Sequence, residues 1–281
     1  MTRKAVILAA GSGARLAPMT ACVPKELLPI AGLPALHHVL AEAAETGVTE
    51  ALVVISEGKE DIRKYILAQT HPKGEMAKRL EEARAAVLKK VSVSFAYQRD
   101  ALGTGDAILA AKEFSSGDPI LVTYPDDLLG VDTRNGFRYF GSKPFYTEKI
   151  WRYASEGISS VLVREVNKAD ASNYGVVYPS GEVSDKLFSV RNIVEKPKDH
   201  SEPTARVLLG RMVLCASVFS EIERFPKRDD VGVIPALNFE AAKGRLLGVQ
   251  IDGECCDIGS HEGYASTFIR TAALKFSDTI D

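Results

Sequence analysis

The chain has 281 residues, of which 46% are hydrophobic and 26% are charged, as in ordinary globular proteins with a sizeable core. Its formal net charge is −2, and no basic excess or basic stripe of the kind that binds nucleic acid is present. No apolar run reaches the roughly 18 residues that a membrane-spanning helix needs. We therefore expect neither nucleic acid nor a membrane as a partner.

The cysteines and the N-terminal residues predict a reducing compartment. An adjacent cysteine pair forms a structural disulfide only with difficulty, and the spacings fit no zinc motif. The N-terminal apolar stretch lacks the cleavage pattern of a signal peptide. We expect a cytoplasmic protein with the free cysteines Cys22, Cys215, Cys255 and Cys256.

Apolar patterns in the first half of the chain predict strands that alternate with helices. Residues 5–10 form a continuous apolar run, which suits a strand buried on both faces of a parallel sheet. A helix is predicted from Pro34 to a stop at Gly47, where glycine favours a helix end. The other predicted strands are 51–55, 91–97 and 119–124, and the other helices are 60–67, 76–90 and 104–112.

The second half is less regular, and no linker separates it from the first. Its predicted strands are 160–165, 175–178, 189–195 and 207–215, and its predicted helices are 216–224, 231–243 and 260–275. The alternation predicts an α/β protein with a doubly wound, mostly parallel (mixed), Rossmann-like sheet. We expect a single domain over residues 1–281.

Four candidate motifs follow predicted strands. They come after Ala10, after Tyr97, after Tyr124 and in a predicted loop that holds Asp257. Ligands of open α/β sheets bind beyond the carboxyl ends of the strands. We therefore expect the four motifs to contribute to one site.

The first motif is a glycine loop with two cations close behind it. Gly11 and Gly13 follow the first strand, but position 16 is a leucine, so the third glycine of the dinucleotide fingerprint is missing. The Gly-Lys-Ser/Thr ending of the phosphate loop of NTPases is also absent. What remains is a loop of backbone N–H groups with Arg15 and Lys25 behind it, which suits a triphosphate. A surface turn is the alternative.

The chain resembles the sugar-1-phosphate nucleotidyltransferase family in motifs that follow one another along nearly its full length. The motifs are LAAGSGARL at 8–16, PKELLP at 24–29, QxxxxG at 98–103, PDDL at 125–128, NYGVV at 173–177, VEKPK at 194–198 and DIGSHEGY at 257–264. The helical segment 76–90 favours the uridylyl branch, which joins UTP to glucose 1-phosphate, over the shorter thymidylyl branch. The resemblance implies a nucleotide-binding half at 1–130 and a sugar-binding half at 131–281.

The resemblance also implies a direct in-line attack of the sugar phosphate on the α-phosphorus, with Mg²⁺ as the cofactor and pyrophosphate as the leaving group. Such a reaction needs no protein nucleophile, so catalysis depends on positioning two anions and neutralising charge. The residues implied to be catalytic are Arg15, Lys25, Asp126 and Lys196, and the implied metal ligands are Asp126 and Asp257. Two carboxylates with phosphate and water suit magnesium.

The residues implied to bind the substrates are Ala10, Gly11, Gly13, Glu26, Gln98, Gly103, Asp127, Gly175 and Glu195. Gln98 suits a pyrimidine edge because its amide both donates and accepts hydrogen bonds. Gly103 would let the base approach the backbone. Glu195 is implied to bind sugar hydroxyls, Lys196 the sugar phosphate and Gly175 the hexose.

Each of these residues also has a plain structural interpretation. Arg15 is equally well a surface ion pair, Lys25 a solvated side chain, and each aspartate the cap of a helix or turn. Gln98 and Gly103 suit a strand end and a helix start. Glu195 and Lys196 together resemble an ordinary charged strand end.

The chain departs from the family pattern at several positions. It has Ala14 where the family usually has threonine, Asp106 where a neutral polar residue is usual, and His261 where lysine is common. Residues 230–235 lack polar groups that the family places near the sugar. The sugar and nucleotide therefore stay open, with dTTP or another hexose as one alternative and a non-catalytic nucleotide-sugar-binding regulator as another. Homo-oligomers, dimers or tetramers, are usual in the family.

Overall fold

The computed structural model describes residues 2–133, 136–139, 145–184, 186–225 and 232–272. The described strands are β1 Arg3–Leu8, β2 Pro29–Ile30, β3 Leu33–Pro34, β4 Val48–Ile55, β5 Ser92–Tyr97, β6 Ile120–Thr123, β7 Asp127–Thr133, β8 Gly136–Tyr139, β9 Ser159–Asn167, β10 Gly175–Ser184, β11 Leu187–Glu195, β12 Thr204–Leu214, β13 Leu246–Gln250 and β14 Glu254–Asp257. The described α-helices are α1 Ala35–Glu45, α2 Glu60–Leu67, α3 Glu75–Lys90, α4 Gly103–Leu109, α5 Lys112–Ser115, α6 Phe145–Trp151, α7 Ser217–Ile222, α8 Ile234–Ala242 and α9 His261–Ala272.

The first of two compact units comprises the described residues of Thr2–Asp100, Tyr124–Pro144 and Gly253–Asp281. Its strands β1, β4 and β5 pair in parallel. Strands β14, β7 and β8 form an antiparallel sheet, and β2 pairs with β3. The core of β1 is fully buried at Ala5, Val6 and Ile7, which confirms the strand predicted from the continuous apolar run.

The second unit comprises the described residues of Ala101–Thr123 and Phe145–Asp252. Its strands follow the spatial order β10-β11-β13-β9-β12-β6. The β13–β9 pair is parallel, whereas β10–β11, β11–β13, β12–β9 and β12–β6 are antiparallel. The predicted α/β class with a mixed sheet is confirmed. The pairs among β1, β4 and β5 of the first unit are parallel, whereas most of the described pairs among the strands of the second unit are antiparallel.

Most predicted elements are present with small changes in their ends. Helix α2 has the predicted bounds, and α1 is followed by Gly47 with a φ of 78°, which confirms the predicted helix stop. The helix predicted at 104–112 is divided into α4 and α5. Residue 231 of the predicted helix 231–243 and residues 273–275 of the predicted helix 260–275 lie outside the described residues.

Helix α3 differs from its prediction in what it buries. The sequence places Met76, Leu80, Ala83 and Val87 on one apolar side, yet Met76 is exposed and the buried residue is Arg84. The Arg84 guanidinium donates to the carbonyls of Tyr65 and Ala68 and forms an ion pair with Glu81. A buried cation is tolerated here because its donors are satisfied.

Among the described helices, none is both long and apolar enough to cross a bilayer.

The buried His37 on α1 gives a prediction about acid stability. Burial lowers the pKa of His37 from 6.5 to about 3, so the folded protein keeps the ring neutral while the unfolded chain protonates it. The free energy of unfolding is therefore unaffected by protonation of His37 above pH 6.5. As the pH falls from 6.5 towards 3, protonation of His37 in the unfolded chain lowers the free energy of unfolding by up to about 1.4 kcal/mol per pH unit. We expect the free energy of unfolding of His37→Leu, measured by urea titration, to depend less on pH between 7 and 4.5.

The matched control is His71→Leu, because His71 is exposed. It should keep the wild-type pH dependence. Equal slopes for His37→Leu and wild type would contradict the assignment.

Candidate active site

The chain leaves β1 through a loop in which Gly13 has a specific steric role. Gly13 has a φ of 70°, and a Cβ added to it would lie 2.8 Å from the methyl carbon of Thr20. The Thr20 hydroxyl donates to the Gly13 carbonyl over 3.1 Å. A Cβ added at Gly11 would meet no heavy atom within 4 Å, so the loop is open on that side. The backbone here suits the approach of a ligand.

Two ion pairs in the first unit involve the predicted metal carboxylates. Lys25 Nζ lies 2.5 Å from Asp126 Oδ2, and Arg15 Nη1 lies 3.2 Å from Asp257 Oδ2. The Lys25 and Asp126 side chains are only 16% and 14% exposed, whereas Arg15 is 65% exposed. The structure thus pairs the two predicted phosphate-binding cations with the two predicted metal ligands.

The Lys25 ammonium remains charged at neutral pH. Burial alone would lower the pKa of Lys25, but the attraction and hydrogen bond of Asp126 outweigh it and raise the pKa above 10.5. A permanent positive charge is therefore held next to a carboxylate, which can stabilise a phosphate oxygen that approaches.

The two carboxylates converge on Gly259. A Cβ added to Gly259 would lie 2.9 Å from both Asp126 Oδ2 and Asp257 Oδ1, and 2.8 Å from Arg15 Nη2. The Ile258 N–H also donates to the Asp126 carbonyl over 2.9 Å, so the two chain segments are joined through their backbones. A side chain at position 259 would occupy the space that these charged groups share.

Asp257 lies in a strand, not in the loop that the sequence analysis predicts. It is the last residue of β14, which pairs with β7 so that Asp257 is opposite Asp127. The predicted loop is wrong because β14 is short and gains its order from pairing with a distant segment. The strand pairing fixes the position of Asp257 next to the segment that holds Asp126.

A hard cation that prefers oxygen ligands fits this pair of aspartates better than a metal that prefers nitrogen or sulfur ligands. Within the described residues there is no group of three or more His, Cys, Asp and Glu side chains that could hold a metal. Magnesium accepts few carboxylates and completes its octahedron with phosphate oxygens and water. The donor set is therefore of the type that magnesium uses when it binds together with a phosphorylated substrate.

Glu26 is fully buried, and Lys59 is the residue that the sequence analysis missed. Both carboxylate oxygens of Glu26 accept hydrogen bonds from Lys59 Nζ, at 2.8 and 2.9 Å. Lys59 also donates to the carbonyls of Ala9 and Gly11 in the loop after β1. The available signal is its position just after β4, since ligand sites lie beyond the carboxyl ends of strands.

The other predicted residues of the first unit lie at strand ends. Gln98 follows β5, and its N–H donates to the Ile55 carbonyl over 2.8 Å. Ala10 follows the end of β1, and Asp127 begins β7. Their substrate contacts stay predictions.

The second unit holds the remaining predicted residues, three of which are neighbours. Gly175 and Glu195 face each other in the β10–β11 register, and Glu195 forms a 3.7 Å ion pair with Lys196. The N–H of Lys196 donates to the Tyr174 carbonyl, and its φ of 41° lies in the left-handed region that non-glycine residues rarely adopt. Gly103 begins α4 with a φ of 87°.

A Cβ added to Gly175 would lie 3.0 Å from Ile234 Cδ1 and 3.4 Å from Glu195 Oε2. The backbone at Gly175 is therefore bounded by an apolar group on one side and a carboxylate on the other. Ile234 belongs to the segment 230–235 that departs from the family pattern, of which residues 230 and 231 lie outside the described residues.

Comparison with known proteins gives consistent matches. Residues 4–272 match the family model described as nucleotidyl transferase. A UTP–glucose-1-phosphate uridylyltransferase of Streptococcus pyogenes is 30% identical over 277 residues, which cover 95% of this chain and 88% of that protein. A second such enzyme, from S. pyogenes serotype M3, is 29% identical over 99% of this chain and 93% of its own length. A crystal structure of a UDP-glucose pyrophosphorylase complexed with UDP-glucose superposes with a TM-score of 0.82 at 25% identity, over 96% of this chain and 98% of that one.

Gly263 gives a stability prediction for the segment that carries Asp257. A Cβ at Gly263 would lie 1.8 Å from the Asp257 carbonyl oxygen, so Gly263→Ala requires the backbone to move. Alanine normally favours a helix over glycine by about 1 kcal/mol, but a forced backbone shift costs more. We expect Gly263→Ala to lower the free energy of unfolding by about 2 kcal/mol in urea titrations.

The control is Gly181→Ala, because a Cβ at Gly181 meets nothing within 4 Å. It should change the stability by less than about 0.5 kcal/mol. A stable Gly263→Ala variant would show that α9 does not press on the Asp257 backbone.

Proposed function

The chain belongs to the nucleotidyl transferase family, and on that basis we propose that it transfers a uridylyl group from UTP to glucose 1-phosphate. The products are UDP-glucose and pyrophosphate. The proposal is supported by relatives of that name over nearly the full length and by the charged cluster at Gly259. The cluster carries the proposal because it combines two carboxylates with two cations.

In the proposed reaction the phosphate oxygen of the sugar attacks the α-phosphorus, and the bond from that phosphorus to the pyrophosphate oxygen breaks. Lys25 is placed to neutralise charge at the α-phosphate, because its ammonium is buried and stays protonated. Arg15 is exposed and has a planar fork that suits the β- and γ-phosphates. The chain needs no nucleophile of its own, since positioning and charge neutralisation supply the rate enhancement.

Asp126 and Asp257 would hold Mg²⁺, which neutralises phosphate charge when it is bound. Gln98 and Gly103 are proposed to contact the uracil, and Ala10, Gly11 and Gly13 the nucleotide phosphates and sugar. The carboxylate of Glu26 is fully buried, so we propose that Glu26 affects nucleotide binding indirectly, through the loop after β1.

Gly175 and Glu195 are proposed to contact the hexose, and Lys196 its phosphate. Asp127 is proposed to act beside Asp126. We also propose a cytoplasmic location and a single functional domain. We further propose that the protein forms a homo-oligomer, and light scattering after size-exclusion chromatography would test this.

The first test is pyrophosphate release from UTP and glucose 1-phosphate with Mg²⁺. Asp126→Asn keeps the shape of the side chain but removes the charge, so we expect turnover to fall at least about a hundredfold, or ~2.7 kcal/mol. EDTA should abolish release, and excess Mg²⁺ should restore it.

Asp61→Asn is the control, because Asp61 is an exposed partner of Lys64. Full activity of Asp126→Asn would mean that the metal site is elsewhere. Tight binding of UDP-glucose by wild type without any turnover would favour the non-catalytic regulator instead.

One observation favours, as the second candidate, a different sugar with the same chemistry. The apolar Ile234 borders the backbone of Gly175, where a hexose hydroxyl would find no partner on Ile234 itself. A panel of hexose 1-phosphates with UTP and dTTP decides between the pairs by their kcat/KM values. We expect UTP with glucose 1-phosphate to have the highest value, and a tenfold advantage of another pair would replace it.

A further inference from the structure

The buried ammonium group of Lys59 has four acceptor oxygens within hydrogen-bond distance, and its N–H donors are shared among them. Its Nζ lies 2.9 Å from the Ala9 carbonyl oxygen, 2.5 Å from the Gly11 carbonyl oxygen, and 2.8 and 2.9 Å from the two oxygens of Glu26. Lys59 is 8% exposed and Glu26 is 0% exposed. A buried charge is costly unless it is paired and hydrogen-bonded, and here both conditions are met.

The four acceptor oxygens come from two separate parts of the chain. Ala9 and Gly11 belong to the loop after β1, and Glu26 lies in the helical turn Lys25–Leu27. Lys59 itself precedes α2, and its own carbonyl accepts from the Ile62 N–H over 3.0 Å. One side chain therefore joins the loop, the turn that contains Lys25 and the start of α2.

Holding two loop carbonyls also determines where the loop N–H groups point. In a trans peptide unit the carbonyl and the N–H point in opposite directions. Because the carbonyl of Gly11 is turned towards Lys59, the N–H of Ser12 is turned away from it. The same relation holds for the Ala9 carbonyl and the N–H of Ala10. The loop thus directs the N–H groups of Ala10 and Ser12 away from Lys59, and a Cβ added at Gly11 would meet no heavy atom within 4 Å.

We propose that Lys59 is a positioning residue for the nucleotide. It aims the N–H groups of the loop at the triphosphate and holds the turn that contains Lys25, without contacting the substrate itself. The buried Glu26 is the counter-charge that keeps the Lys59 ammonium in place. This inference rests on the proposed transfer of a nucleotidyl group from UTP.

The test compares variants by binding and kinetics. Lys59→Met removes the ammonium at similar length but leaves Glu26 buried without its partner, so it risks unfolding. The double variant Lys59→Met with Glu26→Gln removes both charges together and avoids that penalty. Lys59→Arg retains a cation with several donors. Lys64→Met is the control, because Lys64 lies on α2 shortly after Lys59 and its side chain is 76% exposed.

We expect the double variant to raise both the KM and the calorimetric Kd for UTP at least tenfold, with the KM for glucose 1-phosphate within twofold of wild type. Lys59→Arg should recover part of the UTP affinity. A purely structural role would instead reduce the folded fraction and kcat, and leave both KM values unchanged.

Wild-type UTP affinity in the folded double variant, with normal turnover of the wild type, would overturn the role of Lys59 alone. If the double variant does not fold, the two single variants decide. Wild-type UTP affinity in both Lys59→Arg and the folded fraction of Lys59→Met would then overturn the positioning role of Lys59. A wild-type protein that neither binds nor turns over UTP would overturn the proposed function and this inference together.

Discussion

Lys25 and Asp126, both largely buried, form the ion pair on which the charge balance around the proposed metal ligands depends. Neither group is stable there alone, because an uncompensated charge at low exposure has a large desolvation cost. A phosphorylated nucleotide and a cation bring opposite charges to the same place. In the proposed reaction, Lys25 forms its ion pair with phosphate oxygens of the nucleotide, and Asp126 binds the cation instead of Lys25. Exchanging partners in this way keeps every charge compensated, and the exposed Arg15–Asp257 pair can do the same with less cost.

The backbone makes this exchange possible by holding the carboxylates in place without side chains between them. Strand pairing puts Asp257 opposite Asp127, and the Ile258 N–H holds the Asp126 carbonyl. Glycine at 259 leaves room between the charged groups, and glycine at 263 lets α9 begin directly against Asp257. Rigid supports of this kind matter because catalytic groups lose effect when they are misplaced by about an ångström.

The sequence predicted β1, β4 and β5 of the first unit because a buried parallel strand leaves a local apolar pattern, and the site residues that it proposes come from local motifs as well. Apolar runs mark β1 and β4, and the motifs that follow them are continuous in sequence. It did not predict the β14–β7 pairing, since Asp127 and Asp257 are far apart in the chain and β14 is short. The sequence did not indicate a role for Lys59 for the same reason, because its hydrogen-bond partners are separated from it by 33 to 50 residues in the chain. On α3, periodicity alone could not predict that Arg84 is buried, because its burial depends on hydrogen bonds to backbone carbonyls of another segment.

Selectivity for the sugar follows different physics from binding of the triphosphate. A carboxylate such as Glu195 that binds a hydroxyl discriminates strongly against a sugar without it, by factors of roughly 10⁴ or more, because the polar group is then left unpaired. An apolar neighbour such as Ile234 discriminates weakly, by roughly a hundredfold, against an added hydroxyl. If Glu195 binds a hexose hydroxyl as proposed, substrate choice depends more on that hydroxyl than on the loss of polar groups around Ile234.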